Sequence, residues 1–374
     1  MQCVKEGFTM LYVIQMGWDE GGNTRRLDGV LMKALRDVDH LAVRSAEAFA
    51  GLFPDVLPGK ETPRRQVLFA VNLARGGISV GFARIIAYIS QHHHCLENCV
   101  GSVIVDGAEE LFTKKAGREM IFIANRSGCG FPGAPLVEAT GSLYNFNIRA
   151  KVQGIANQEA YENAVKKLIG NLLAFQGAPE PAGGRHRIAL FHASSRRTSN
   201  TLLLWSMIRQ FIGDAASIRE VSLRNGTVVD CRGCSYEACL HFGEKGDCFY
   251  GGIMVEEGYP AITESDTLVF ACPNYNDAVS ANIMAFFNRM TALFRSDFKE
   301  FAKKRVFALV VSGYSGGDIV AEQIIDALNC NKHFILPPHF ALMETANDPG
   351  SILACEGIAQ RAEEMAERIV GKIR

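Results

Sequence analysis

The sequence predicts two tandem domains of the doubly wound α/β class, each with a five-stranded parallel sheet covered by helices. The chain has 374 residues, more than one core of typical size holds. Its apolar runs are short and continuous, as in VLFAV (67–71), TLVFAC (267–272) and VFALVV (306–311). Such runs indicate strands buried on both faces, which is typical of parallel sheets. Polar or glycine-rich turns and helix-like segments follow them, so the pattern is repeated βα.

The two halves of the chain also repeat each other. Three pairs of segments align: 11–24 with 187–201, 68–89 with 269–290, and 119–130 with 305–316. The third pair treats IFIAN in the first half as a strand that precedes a glycine-rich turn. From Asn23 to Ser79 there are 56 positions and from Asn200 to Ser280 there are 80, so the second half gains 24 residues here. These extra residues surround a cluster of cysteines.

The domain boundary is predicted from composition. The segment QGAPEPAGGRHR (176–187) is rich in Pro, Gly and Ala and reads as a linker between a domain over 1–175 and a domain over 188–374. At the end of the chain, apolar residues recur every three or four positions over a charged face, which predicts an amphipathic final helix. They are Ile358, Ala362, Met365, Ile369 and Ile373.

Composition excludes several classes of function. With 39 Lys and Arg against 40 Asp and Glu, the formal charge is -1, so there is no basic excess for nucleic acid or an anionic membrane. No apolar run approaches the roughly 20 residues of a membrane span, and the first ten residues do not resemble a signal peptide. We therefore expect a cytoplasmic protein that acts on a small molecule, and leave a homo-oligomer open. The 11 cysteines are an odd number, which argues against a disulfide framework and for local thiol or metal chemistry.

The turn after RIALF in the second half is the first candidate site. It reads HASSRRTSNT and precedes a helix-like run. Hydroxyls of Ser194, Ser199 and Thr201, backbone N–H groups and the helix N-terminus could bind a phosphate ester, with Arg196 or Arg197 adding charge. The alternative is a solvated turn whose Ser or Asn caps the helix.

This turn resembles the phosphate loop of the NADPH-dependent FMN reductase and iron-sulfur flavoprotein family, which has the flavodoxin-like fold. The matching residues are Ala193, Ser194, Arg196, Ser199, Asn200 and Thr201, whereas Ser195 replaces the family's proline. A second family motif follows in order, and Pro273, Tyr275, Ser280, Ala281 and Arg289 occupy its positions. The resemblance covers nearly all of 187–374 and implies sheets of strand order 2-1-3-4-5.

What the resemblance implies is an FMN whose phosphate lies in 194–201 and whose isoalloxazine ring is lined by the loop at 273–276. A third turn, SGYSGGD (312–318), could approach the other edge of the ring because its glycines have no Cβ. The expected cofactor-binding residues are Ser194, Arg196, Thr198, Ser199, Asn200, Thr201, Pro273, Asn274, Tyr275, Asn276, Gly313, Tyr314 and Gly316. No side chain is expected to act as a nucleophile or general base, because the hydride chemistry belongs to the flavin.

The inserted segment CRGCSYEACLHFGEKGDC is a candidate metal site. Its four cysteines, Cys231, Cys234, Cys239 and Cys248, lie close enough in sequence for a metal or an iron-sulfur cluster. Related iron-sulfur flavoproteins hold a four-iron cluster here, often with C-x2-C-x2-C at the start. This chain instead has two, four and eight intervening residues, so a 4Fe-4S cluster, zinc or a redox thiol pair, and structural cysteines all stay open.

The first half is expected to be a degenerate, structural flavodoxin-like domain. It has Asp19 and Glu20 where the second half has Arg196 and Arg197, and carboxylates would repel a phosphate. We therefore predict an FMN-dependent oxidoreductase that passes electrons from NAD(P)H to a small molecule or metal centre. The alternative is an FMN or iron-sulfur flavin electron carrier without a nicotinamide site.

Overall fold

Two separate parallel sheets organise the chain. The computed structural model describes residues 10–18, 20, 24–56, 62–180, 184–195, 198–224 and 228–372. The chain divides into two units, Met1–Gln176 and Gly177–Arg374.

The first unit has five sheet positions. Its strands are β1 (Leu11–Met16), β2 (His40–Val43), β3 (Arg65–Leu73), β4 (Cys99–Gly107), β5 (Cys129–Gly130) and β6 (Leu136–Ala139). Its helices are α1 (Thr24–Ala34), α2 (Ala46–Leu52), α3 (Val80–Gln91), α4 (Thr113–Arg126), α5 (Asn147–Gln153) and α6 (Asn157–Ala174). The strand order is β2-β1-β3-β4-β5, and β6 also pairs with β4, so the fifth position is an interrupted strand. All of these pairings are parallel.

One element of the first unit differs from the sequence prediction. The apolar run IFIAN lies inside α4 and not in a strand. Met120, Ile121, Phe122 and Ala124 are all buried there, and a short apolar run that is buried nearly all round cannot be distinguished from a strand by periodicity. The structural counterpart of VFALVV is β4, so the third pair of aligned segments was wrong.

The second unit repeats the same topology. Its strands are β7 (His186–His192), β8 (Ala216–Ser222), β9 (Thr267–Pro273), β10 (Arg305–Ser312) and β11 (Ala341–Thr345). Its helices are α7 (Asn200–Ile212), α8 (Tyr236–Gly243), α9 (Tyr259–Glu264), α10 (Ala281–Arg289), α11 (Thr291–Ser296), α12 (Phe298–Phe301), α13 (Gly317–Ile324) and α14 (Ile358–Val370). π-Helical turns Met254–Gly258 and Ile325–Cys330 precede α9 and extend α13.

The order β11-β10-β9-β7-β8 is the predicted 2-1-3-4-5 arrangement, and every pairing is parallel. The flavodoxin-like fold class is therefore confirmed for both units. The predicted continuous apolar strands are buried as expected: all seven residues of β9 are inaccessible to solvent, as are all but the first residue of β10. Strand β7 begins at His186, within the last two residues of the predicted linker.

The final helix was also predicted correctly. Ile358, Ala362, Met365 and Ile369 are buried along α14, where they pack in the core cluster with residues of α7 and β10. Ile373 lies outside the described residues. Among the described helices, none has the length and hydropathy needed to cross a lipid bilayer.

A buried histidine at the start of β7 predicts a pH-dependent stability. His186 Nε2 lies 2.8 Å from Thr267 Oγ1 and 2.9 Å from a guanidinium nitrogen of Arg305. Burial, reinforced by the charge of Arg305, lowers the pKa of His186 to about 4. An unfolded histidine has a pKa of about 6.5, so between about pH 6.5 and 4 only the unfolded chain binds this proton. The free energy of unfolding should therefore fall as the pH is lowered through this window.

Tryptophan fluorescence can follow the second unit alone. The chain has two tryptophans, so in a Trp18→Phe background Trp205 reports unfolding by denaturant. We expect the pH dependence between about pH 6.5 and 4 to be shallower in His186→Gln than in the parent. Equal slopes in the two proteins would show that His186 is not the group responsible.

Candidate functional site

The candidate site is the carboxyl edge of the second sheet, where ligands bind in doubly wound folds. Loops after β7, β9, β10 and β11 meet there, and most of the predicted site residues belong to them.

The loop after β7 contains an unpartnered buried hydroxyl. Ser194 is only 4% exposed, and its Oγ has no hydrogen-bond partner among the described residues. Ser199 caps α7, because its Oγ accepts a hydrogen bond from the Leu202 N–H at 3.2 Å. Thr201 is buried in the first turn of that helix, and Thr198 is exposed. Arg196, which was predicted to bind phosphate, lies outside the described residues.

The side-chain amide of Asn200 is hydrogen-bonded to backbone groups of another loop. Its Nδ2 donates to the carbonyl oxygens of Ala346 at 3.0 Å and Asp348 at 2.9 Å, and its Oδ1 accepts from Gly350 N–H at 2.9 Å. These bonds join the loop after β7 to the loop after β11. Both ends of the amide are therefore used within the protein.

The loop after β9 is a tight hairpin turn. Tyr275 and Ala278 exchange backbone hydrogen bonds of 3.4 and 3.2 Å. The two residues between them, Asn276 and Asp277, have φ values of 53° and 54°. Two successive positive φ angles are typical of a type I′ turn, in which Asn and Asp are well tolerated. The turn leaves the Tyr275 ring 58% exposed at the rim.

Asn274 joins this hairpin to the loop after β10. Its Nδ2 donates to Ser315 O at 2.7 Å and lies 3.2 Å from Ser312 Oγ. Its Oδ1 is buried and has no partner among the described residues. The next aromatic residue, Tyr314, is 81% exposed. The structure thus brings Asn274 and the third predicted loop together.

Two glycines in the loop after β10 allow it to lie close to the neighbouring loops. Gly316 has φ +79°, and a Cβ there would lie 2.0 Å from Asp277 Oδ1 and 2.9 Å from Asn274 Nδ2. A Cβ on Gly313 would lie 2.9 Å from Asn347 Oδ1, which belongs to the loop after β11. Glycine is therefore required at 316 by both conformation and space.

Sequence reasoning did not place Ser280 among the site residues, although it belongs to the second motif. Ser280 precedes α10, and its buried Oγ makes no capping bond and has no partner among the described residues. The aligned residue of the first unit, Ser79, does cap its helix, through the Phe82 N–H at 3.2 Å. The unpartnered hydroxyl could not have been recognised from the sequence, because Ser is a normal helix cap.

The cysteine segment is attached to α10. Asn282 Nδ2 donates to Leu223 O at 2.7 Å, and Asn288 Nδ2 donates to Asp230 Oδ1 at 3.0 Å. Arg289 is 2% exposed and donates to Val229 O at 3.4 Å and Gly251 O at 2.7 Å. One buried guanidinium therefore contacts the backbone at both ends of the segment.

The four cysteines of this segment have different exposures. Cys231 and Cys234 are exposed, whereas Cys239 and Cys248 are partly buried. All four belong to the described residues, and no three of their sulfur atoms lie within 4.8 Å of one another. Sulfurs on a single zinc ion, with bonds of about 2.3 Å, would be roughly 3.8 Å apart. The sulfur atoms of the described segment are therefore not arranged as the tetrahedron around a single zinc ion. In an iron-sulfur cluster the thiolates bind different iron atoms and lie farther apart.

The equivalent edge of the first unit is occupied by its own side chains. Glu20 accepts hydrogen bonds from the N–H groups of Val80 and Gly81, the latter at 2.7 Å, at the start of α3. Arg26 forms a bidentate pair with the buried Asp106, at 2.5 and 3.0 Å. A carboxylate of the protein thus occupies a helix N-terminus that would otherwise attract an anion.

The sequence of the second unit matches a known family model. Residues 186–348 match the family model of NADPH-dependent FMN reductase. The match runs from the start of β7 into the loop after β11, so it contains the loops after β7, β9 and β10 in full and the first residues of the fourth. The resemblance stated from the sequence is confirmed for the C-terminal half of the chain.

One curated relative and two solved structures are similar to the chain. The iron-sulfur flavoprotein of Archaeoglobus fulgidus is 28% identical over 137 residues, which cover 35% of this chain and 66% of that protein. The chain thus spans just under two thirds of this relative's length. An NAD(P)H:quinone oxidoreductase from Methanothermobacter marburgensis is 16% identical, with 50% of this chain and 96% of that chain covered and a TM-score of 0.39. The Trp repressor binding protein of Bacillus subtilis is 17% identical, with coverages of 48% and 97% and a TM-score of 0.34. At these scores neither structure bears on function.

A pair of glycine variants tests the close approach at the rim. Gly316→Ala should destabilise the second unit by more than about 2 kcal/mol, because a positive φ and a steric overlap with the hairpin act together. Gly350→Ala is the matched control: its φ is +84°, but a Cβ there would meet nothing within 4 Å, so a loss of about 1 kcal/mol is expected. Denaturant unfolding followed by Trp205 measures both. Equal losses would mean that the hairpin does not pack against Gly316.

Proposed function

We propose that the second unit binds FMN at the carboxyl edge of its sheet and is an NAD(P)H-dependent oxidoreductase. The observation that carries this proposal is the buried, unpartnered hydroxyl of Ser194 directly after the first strand. A buried polar group without a partner costs roughly 1–3 kcal/mol, and a phosphate oxygen would remove that cost. The family match, which contains the loops after β7, β9 and β10, supports the same assignment.

The phosphate would be bound by the loop after β7. The set consists of Ser194, Arg196, Thr198, Ser199, Asn200 and Thr201, as expected from the family motif. Asn200 contributes by holding the loop, since its amide is already bonded to backbone groups on both sides. Ser199 uses its Oγ lone pair for the helix cap, and its hydroxyl proton could still be donated to a phosphate oxygen. The N-terminus of α7 adds favourable partial charge.

The isoalloxazine would be bound by the hairpin and the loop after β10. The proposed residues are Pro273, Asn274, Tyr275, Asn276, Gly313, Tyr314 and Gly316. Tyr275 and Tyr314 offer exposed aromatic rings to a flat ligand. The buried Oδ1 of Asn274 and Oγ of Ser280 have no hydrogen-bond partner among the described residues, which suits the polar edge of a flavin.

When bound, FMN would accept hydride from NAD(P)H and pass electrons to an acceptor. The side chains of this chain would bind the phosphate, orient the ring and exclude water from one face. No described side chain needs to transfer a proton, and we assign no catalytic residue.

A second part of the proposal concerns the group that accepts electrons from the flavin. Cys231, Cys234, Cys239 and Cys248 would hold a metal centre that receives electrons, or the acceptor is a small molecule. No three of the four sulfur atoms are close enough for a preformed single-zinc site, and four thiolates are the ligand set of a 4Fe-4S cluster. That a relative is named an iron-sulfur flavoprotein supports the cluster.

A non-catalytic electron carrier is the alternative function. The exposed cysteine segment favours it, since a surface metal centre can exchange electrons with a partner protein. Steady-state oxidation of NADPH or NADH with an artificial acceptor separates the two functions. A flavin that is reduced only by a partner protein would indicate the carrier.

The phosphate loop provides the direct test. Arg196→Glu should expel FMN, because it reverses charge beside the phosphate, and Ser194→Ala should weaken FMN binding by about tenfold through loss of one charge-assisted hydrogen bond. FMN affinity is measured by quenching of flavin fluorescence, and NADPH oxidation should fall in parallel.

The matched control is Ser206→Ala. The Ser206 hydroxyl lies on α7 and bonds only to the Leu202 carbonyl at 2.9 Å, so FMN affinity should not change. Retention of flavin by Arg196→Glu would contradict the placement of the phosphate.

The metal proposal predicts that Cys234→Ala removes iron while FMN is retained, because the two sites use different residues. Iron, zinc and the visible spectrum of anaerobically purified protein measure both groups. Cys330→Ala, outside the segment, should keep the iron. Equal iron in all three proteins, or none in the parent, would reject the cluster.

A further inference from the structure

A groove on the helical face of the second unit carries two cations, Arg295 and Lys332, that form no ion pair with an acidic side chain among the described residues. It has a volume of about 530 Å³ and is lined by, among others, Met284, Phe287, Phe294, Arg295, Gln323 and Lys332. Its size is within the usual range for small-molecule pockets. None of these residues belongs to the proposed FMN site.

The two cations make only ring contacts. The guanidinium carbon of Arg295 lies 4.7 Å from the centre of the Tyr236 ring, and Lys332 Nζ lies 5.7 Å from that of Phe294. Neither forms a hydrogen bond or an ion pair with any described residue. The carboxylate residue Asp326 also lines the groove.

The placement of these charges is unfavourable in the absence of an anion. Burial lowers the pKa of Lys332, the charge of Arg295 lowers it further, and the neighbouring Cys231 raises it. Several other basic residues of this unit have an acidic partner: Arg187 has Asp266, Arg209 has Glu220 and Arg361 has Glu344. Like charges brought together in a part-buried groove indicate a site for a negative group.

The groove connects two other parts of the unit. At one end, Gln323 Oε1 accepts from Val279 N–H at 2.9 Å, directly after the rim hairpin. Along its wall, Asn288 bonds to Asp230 of the cysteine segment. A ligand in the groove would therefore lie beside both.

We propose that this groove binds a small organic anion, with its phosphate, sulfonate or carboxylate group between Arg295 and Lys332. A planar apolar body would pack on Met284, Phe287 and Phe294. The site is separate from the proposed FMN site and does not depend on it.

The test uses 8-anilinonaphthalene-1-sulfonate, a planar aromatic anion, titrated calorimetrically into the full chain with and without added FMN. The parent should bind it at one saturable site whose affinity falls with added salt. The double variant Arg295→Gln/Lys332→Met should lose at least about tenfold in affinity, since a tenfold change corresponds to the loss of one modest charge interaction. NADP⁺ and inorganic phosphate, tested as competitors, show whether the anionic group can be phosphate.

The matched control is Arg219→Gln/Lys303→Met, which removes the same two charges from exposed ion pairs with Glu264 and Glu300. It should bind like the parent. Arg295→Lys/Lys332→Arg keeps both charges and should retain affinity, so a loss in the neutral variant can be separated from misfolding. Unchanged binding in the neutral variant, or no saturable binding in the parent, overturns the proposal. Flavin content is measured separately, so failure of the FMN site would leave this result standing.

Discussion

Hydrogen bonds from two asparagine amides hold the rim of the second unit together. Asn200 joins the loop after β7 to the loop after β11, and Asn274 joins the loop after β9 to the loop after β10. Each bond contributes on the order of 1 kcal/mol, but together they fix four loops that sheet pairing does not constrain. Within this framework the hydroxyls of Ser194 and Ser280 have no partner among the described residues, and the FMN proposal assigns them to the ligand.

The first unit shows that the fold alone does not make the carboxyl edge of the sheet a ligand site. It has the same strand order, yet Glu20 bonds the N–H groups at the start of α3 and Arg26 pairs with buried Asp106. Removing one member of a buried ion pair typically costs about 3–5 kcal/mol, so the unit needs both Arg26 and Asp106 once either is present. We infer that the same positions serve folding in one unit and binding in the other.

Sequence patterns predicted what depends on local periodicity. Continuous apolar runs identified β3, β9 and β10, and the spacing of Ile358 and its successors identified α14. IFIAN was misassigned because a fully buried helix and a buried strand have the same composition over five residues. The turn at Asn276 and Asp277 carried a local signal for positive φ that the motif comparison did not use. The contacts of Asn200 could not be predicted, since its partners lie about 150 positions away. Only the folded sheet brings them together.

Helix α10 makes the cysteine segment part of the unit instead of an appended loop. The helix begins after the hairpin and ends at Arg289, whose buried guanidinium bonds to Val229 O and Gly251 O. Its Nε has no partner, and no carboxylate among the described residues forms an ion pair with it. A buried cation is costly unless it is compensated, and Gly251 belongs to the same turn as Cys248, whose carbonyl accepts the Gly251 N–H at 2.8 Å. The metal centre proposed for the four cysteines would bring negative charge to the segment and so supply that compensation.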